Sequence, residues 1–204
     1  MSITLYKGDI PADLDLGTMI AVDTEAMGLN NHRDRLCLVQ MSSGDGNAHL
    51  VQLSPDDYDA APNLKALLAD QSVTKIFQFA RFDVAIIRKY LGVDCTPVYC
   101  TKIASKLART YTDRHGLRDL CRELAGVDIS KQQQSSDWGQ EELSEEQLEY
   151  AASDVLYLHT IKERLDQMLV REGRQDLAQS CFDFLMPRAI LDLEGWGDLD
   201  IFSH

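Results

Sequence analysis

The sequence contains no apolar run approaching the ~20 residues that a membrane-spanning helix needs, so a bilayer-embedded chain is not expected. Its first residues, MSITLYKGDIPADLDLG, hold one lysine and three aspartates and no apolar core, which is not the pattern of a secretory leader. Five cysteines (37, 95, 100, 121 and 181) make an odd set without a C-x-x-C spacing. Neither a disulfide scaffold nor a zinc site fits that set, and a reducing cytoplasm does. No G-x-x-x-x-G-K-[ST] loop is present to cradle a nucleoside triphosphate, and no serine or cysteine sits in a recognisable nucleophile elbow. Positive charge is scarce as well. The formal net charge is −13, which argues against a protein that grips long nucleic acid by neutralising many phosphates.

What is present suits a globular protein. A length of 204 residues, with 45% hydrophobic and 26% charged, fits one domain over 1–204 with a substantial core. No repeat, low-complexity tract or linker divides it. The charge is uneven, however. From 102 to 122, six basic residues (102, 106, 109, 114, 118, 122) oppose two acidic ones (113, 119), a local balance of +4. That stretch reads either as solvated helix faces or as a trap for a small anionic substrate.

The first third carries strand patterns: MIAV (19–22), LCLVQMSS (36–43) and, after the turn-forming SGDGNA, HLVQL (49–53). A helical pattern over 55–70 follows, then a strand over 73–79 and a helix over 81–91 closed by Gly92. A fifth strand is expected over 97–100, and helices over 101–110, 116–125, 144–171 and 173–185. This order predicts an α/β protein: a mixed five-stranded sheet with helices on both faces and a helical C-terminal half. The final stretch, from 172 to 204, is rich in aromatic and aliphatic residues yet broken by Pro and Gly. It is expected to wrap its own domain or to dock on another subunit.

Four carboxylates and a tyrosine carry the chemistry. Asp23 and Glu25 lie two apart at the end of an apolar run, so strand geometry aims both to one face; a surface strand edge is the bland alternative. Tyr150 and Asp154 are four apart in a helix opened by a capping box, Ser144 with Gln147. A structural hydrogen bond would also explain that pair. Asp83 lies in the first turn of a helix, where a negative charge is favourable in any case. Jointly, acids beside apolar segments demand compensation, because an unpaired buried charge costs several kcal/mol. Hard divalent cations such as Mg²⁺ or Mn²⁺ supply it.

These segments resemble the three motifs of the DEDD superfamily of 3′–5′ exonucleases: D-x-E in VDTEAMGL, F-D in FARFD and Y-x-x-x-D in YAASD. Tyr150 marks the tyrosine subgroup, which includes RNase D, and the likeness spans about 18–165. The overall length, RDRLCLVQMSSGDG after the first motif and LAQSCFDFLMPRAILDLEGW near the end further resemble the nano-RNase C group of small exoribonucleases. RNase D proper carries additional helical domains downstream. The resemblance implies an RNase H-like fold and cleavage of short RNAs, above all 5′-phosphorylated dinucleotides. It implies two Mg²⁺ or Mn²⁺ ions held by Asp23, Glu25, Asp83 and Asp154, with Tyr150 orienting the attacking water. Thr24 and Leu29 would contact substrate, Leu29 as an apolar wedge between bases in place of an ordinary core leucine. Arg114, His115 and Arg118 would meet the 5′ phosphate. A homo-oligomeric ring, of eight chains by the likeness, is also implied. Two alternatives stay open: an exonuclease acting on longer structured RNA or on DNA ends, and a catalytically dead nucleic-acid-binding module.

Overall fold

Aliphatic runs build the sheet, and their burial shows where each strand lies. The computed structural model describes residues 2–130 and 132–204. One mixed sheet contains β1 (Ile3–Lys7), β2 (Met19–Ala26), β3 (Leu36–Ser42), β4 (Ala48–Gln52), β5 (Thr74–Phe77) and β6 (Val98–Cys100). The strand order is β1-β4-β3-β2-β5-β6. β3 is antiparallel to both neighbours, whereas β1 runs parallel to β4, and β5 parallel to β2 and β6. Every residue of β3 is buried, which fits its unbroken apolar run.

The sheet therefore has six strands, not the five expected from sequence. The addition is β1, an edge strand with no fully buried residue. Its ITLYK segment is short and only half-apolar, so its pairing with β4 supplies an order that its own pattern does not announce.

Eight helices follow among the described residues: α1 (Pro62–Ala69), α2 (Ala80–Leu91), α3 (Thr101–Ala108), α4 (Leu117–Leu120), α5 (Glu145–Leu156), α6 (Leu158–Glu172), α7 (Gln175–Asp183) and α8 (Leu185–Leu193). Gly92 ends α2 at a φ of 70°, the left-handed cap that glycine accepts most readily. The helix expected over 55–70 is a short 3₁₀ turn at Pro55–Asp57 followed by α1. The helix expected over 144–171 is two helices, broken at Tyr157 (φ −108°, ψ −3°). α5 covers β1 to β4, and α6 turns away onto β2, β5 and α3.

In the C-terminal stretch Pro187 falls within the first turn of α8, where the missing N–H forfeits no helical bond. α8 packs against α2. Asp192 fastens the two, accepting from Arg81 of α2 at 2.7 and 2.8 Å and from Arg188 at 2.6 Å. Alternation along β2 sets its side chains on two faces. Asp23 and Glu25 lie toward α5, and Thr24 toward α2.

Candidate active site

β2 and α5 bring the site together from segments more than a hundred residues apart. Asp23, Glu25 and Asp154 each offer a carboxylate oxygen, and these three atoms lie within 4.8 Å of one another. In the sheet register Asp23 stands opposite Gln40 and Glu25 opposite Leu38, with a β-bulge between Glu25 and Ala26 that ends the regular ladder at the site. Gln40, fully buried, donates to Asp23 Oδ2 at a long 3.4 Å.

Asp83 stands outside this trio. It is buried in the first turn of α2, and Thr24 Oγ1 donates to its Oδ1 at 2.6 Å. Its charge still reaches Asp23 and Glu25. Thr24 is correspondingly committed. Its side chain is 7% exposed and bonded to Asp83.

The electrostatics follow from this crowding. Burial pushes Asp23 well above the usual carboxylate range, and Asp83, Asp154 and Glu25 push it further. Glu25 is raised to about 9 by burial, then by Asp154 and Asp83. Asp83 is raised to about 7 by burial, against the opposing bond from Thr24. Carboxylates that repel one another in this way form a hard-oxygen set suited to a divalent cation, which would reverse each of these shifts.

α5 is positioned by its N-terminus. Ser144 Oγ accepts from the Gln147 backbone N–H at 3.3 Å, and Gln147 Oε1 accepts from the Ser144 N–H at 2.9 Å, the capping box expected from sequence. Gln147 Nε2 also donates to Asp137 O at 3.1 Å, tying the cap to the preceding polar loop. That loop delivers Trp138, buried to 2% exposure, whose ring lies 6.0 Å from that of Tyr150. The Tyr150 hydroxyl is hydrogen-bonded to Asp154, and burial together with Asp154, Glu25 and Asp23 holds its pKa above the usual phenol value. With the carboxylates ionised and no cation among them, a phenol so placed keeps its proton.

The other expected residues lie apart from the trio. Leu29 is 89% exposed, so it is not a core leucine. It projects from a tight loop in which Gly28 approaches Asp34 so closely that an added Cβ would sit 2.3 Å from Oδ2. Arg114 and Arg118 are exposed, with Arg118 pairing with Asp128 at 3.1 Å. His115 is bonded to Ser105 through Nδ1 at 2.8 Å, and its carbonyl accepts from Gln78 Nε2 at 2.8 Å. Gln78 follows β5 and shortly precedes Asp83, so the His115 loop is anchored near the site. Sequence reasoning missed Gln40 and Trp138. A glutamine inside LCLVQMS was a visible signal; a tryptophan inside a polar loop was a fainter one.

The profile of a 3′–5′ exonuclease family matches residues 9–170. Ribonuclease D of Acidiphilium cryptum is 36% identical over 77% of this chain and 39% of its own length. The chain thus spans about two fifths of the curated relatives it matches. Among solved structures, Brucella melitensis NrnC with bound Mg²⁺ is 54% identical at a TM-score of 0.94 over 100% of both chains. NrnC bound to pGG is 55% identical at 0.96 over 100% of this chain and 99% of that one. Escherichia coli RNase D, an exoribonuclease involved in structured RNA processing, is 27% identical at 0.74 over 84% of this chain and 45% of its own. With the carboxylate trio, its tyrosine and these matches, the chain belongs to the 3′–5′ exonuclease family.

Proposed function

We propose that this protein is a divalent-metal-dependent 3′–5′ exoribonuclease that hydrolyses short RNA, above all 5′-phosphorylated dinucleotides, to nucleoside 5′-monophosphates. The observation that carries the reading is the convergence of Asp23, Glu25 and Asp154 within 4.8 Å, with the Tyr150 hydroxyl on Asp154. Asp23, Glu25 and Asp154, with Asp83 beside them, would hold Mg²⁺ or Mn²⁺, two per site. Such ions make a bound water acidic and neutralise the phosphodiester charge. Tyr150 orients the attacking water by hydrogen bonding. Water oxygen joins phosphorus, the bond to the 3′ oxygen breaks, and that oxygen leaves as a hydroxyl. Gln40 steadies Asp23, and Thr24 steadies Asp83.

Leu29 is the apolar surface against which a base packs. Arg114, His115 and Arg118 receive the 5′ phosphate, a limit beyond which a longer chain has little room. The similarity to NrnC, whose structure holds pGG, supports this choice of substrate. Asp154→Asn is expected to lower kcat on a 5′-phosphorylated diribonucleotide by at least about 10³-fold. A loss below about tenfold overturns the metal-site assignment. Initial rates on RNAs of two to seven nucleotides test the length preference; flat or rising rates favour the RNase D-like reading on longer RNA.

Assembly belongs to the same proposal. Trp196, Leu199, Ile201 and Phe202 leave apolar area open beyond α8, and a homo-oligomeric ring would cover it. A monomer mass by light scattering at micromolar concentration overturns this part alone.

A further inference from the structure

Trp138 is a large apolar ring in a polar loop. Apart from it and Leu143, residues 132–143 are Gln, Ser, Gly and acidic side chains, yet the tryptophan is only 2% exposed. It is buried away from the main core, in a small cluster with Cys37 and Leu38 of β3, Leu50 of β4 and Ala151 of α5. That cluster adjoins the carboxylates: Leu38 stands opposite Glu25 in the sheet register, and Ala151 follows Tyr150. Tyr150 packs against the same cluster, its ring centroid 6.0 Å from that of Trp138 and the two planes inclined at 37°.

The backbone on both sides of the indole is held. Asp137 O accepts from Gln147 Nε2 at 3.1 Å and from Gln140 Nε2 at 2.9 Å. Gly139 O accepts from Arg35 Nη2 at 3.0 Å, and the Gly139 N–H donates to Asp137 Oδ1 at 2.9 Å. Gln147 also caps α5, and Tyr150 lies three positions on, one turn along that helix. Cap, tryptophan and tyrosine thus form one unit. The indole N–H, by contrast, has no acceptor among the described residues. A buried donor left unpaired is destabilising, and a phenylalanine at 138 would avoid that loss. What the tryptophan contributes is the face and size of its ring.

We infer that Trp138 is a positioning residue: its ring, clamped by the loop, confines the Tyr150 phenol to the orientation in which the hydroxyl reaches the carboxylate site. The inference rests on the reading that Tyr150 orients the attacking water. A tyrosine side chain turns about two torsions unless a neighbour blocks it, and the hydroxyl bond to Asp154 restrains only the far end of the ring. A group confined before the substrate arrives loses little freedom in the transition state, whereas one that samples several orientations is correctly placed for only part of the time. A tryptophan serving packing alone would affect the reaction whether or not residue 150 carried a hydroxyl.

A double-mutant cycle on the full chain tests this, with Trp138→Leu and Tyr150→Phe made singly and together and kcat and KM read on a 5′-phosphorylated diribonucleotide in Mg²⁺. Trp138→Leu is expected to lower kcat about tenfold with KM within about twofold of the wild type, and Trp138→Phe, which keeps an aromatic face, to lower it only about threefold. In the Tyr150→Phe background either substitution should change kcat by less than about 1.5-fold. If Trp138→Leu does not fold, Trp138→Phe carries the same comparison. An equal fold-loss in both backgrounds overturns the inference, as does a rise in KM with kcat unchanged. If Tyr150→Phe by itself leaves kcat unaltered, the role of Tyr150 falls and the inference falls with it, while the metal-site reading is judged separately by Asp154→Asn.

Discussion

Tyr150 illustrates how neighbours decide a side chain's chemistry. Its hydroxyl faces three carboxylates and its ring lies against Trp138. Deprotonation there would add another negative charge to a site already crowded with them. Tyr150→Phe should therefore lower kcat by about 10–100-fold with KM little changed, since it removes orientation rather than binding. Steady-state kinetics check this, and a KM effect alone contradicts it. Leu29, at 89% exposure, contributes almost nothing to the core. Leu29→Ala should raise KM for dinucleotides while changing stability by less than about 0.5 kcal/mol. Gly28→Ala should reproduce the KM effect and lower the melting temperature, because the new methyl meets the Asp34 carboxylate. The four acids and Tyr150 were legible in the sequence because each stands out against an apolar run. Gln40 and Trp138 were not read, since their partners come from other segments and appear only once β3 and the 132–143 loop have folded.

Elements show a similar division. Alternation and caps placed β2, β3, β4, α2 and the start of α5, and the Ser144–Gln147 box appears as expected. The break at Tyr157 has no glycine or proline to announce it; the competing surfaces that α5 and α6 cover produce it. The docking of α8 on α2 is likewise a tertiary event, made by Arg81, Arg188 and Asp192. Burial raises the Asp192 pKa, but the two guanidiniums outweigh it and hold the carboxyl below its usual value. A depressed carboxyl contributes stability that is present above its unfolded value and lost as pH falls through its folded one. Acid should therefore free α8 early, seen as loss of amide-exchange protection over 185–193. Asp192→Ala should do the same at neutral pH, at a cost of about 2–3 kcal/mol. Unchanged protection in that variant contradicts the role of Asp192.

Across the whole molecule a net charge of −13 surrounds a site built from acids. Burial, then repulsion from Asp154 and Asp83, raises Glu25 from 4.5 to about 9, and burial raises Asp83 from 3.8 to about 7. The unfolded chain gives up these protons first, so in chelator their contribution to stability is full below about pH 4 and is lost as pH rises toward 9. Mg²⁺ binds the ionised carboxylates and should offset that loss. Its gain in melting temperature over chelator is expected to be larger at pH 8 than at pH 6, and an equal gain at both contradicts the metal-site reading. No helix among the described residues is long and apolar enough to cross a membrane.

The sequence by itself singled out Asp23, Glu25, Asp83, Tyr150 and Asp154 by their contrast with apolar neighbours, and in that order they carried the resemblance to 3′–5′ exonucleases. It determined most strands and caps for the same reason: these depend on neighbours along the chain. Tertiary structure alone decided that three of the carboxylates crowd together while Asp83 turns to Thr24. It also decided that an edge strand joins β4 and that a long helical pattern breaks at Tyr157. Those outcomes depend on charge, burial and packing between segments distant in sequence, which no local pattern encodes.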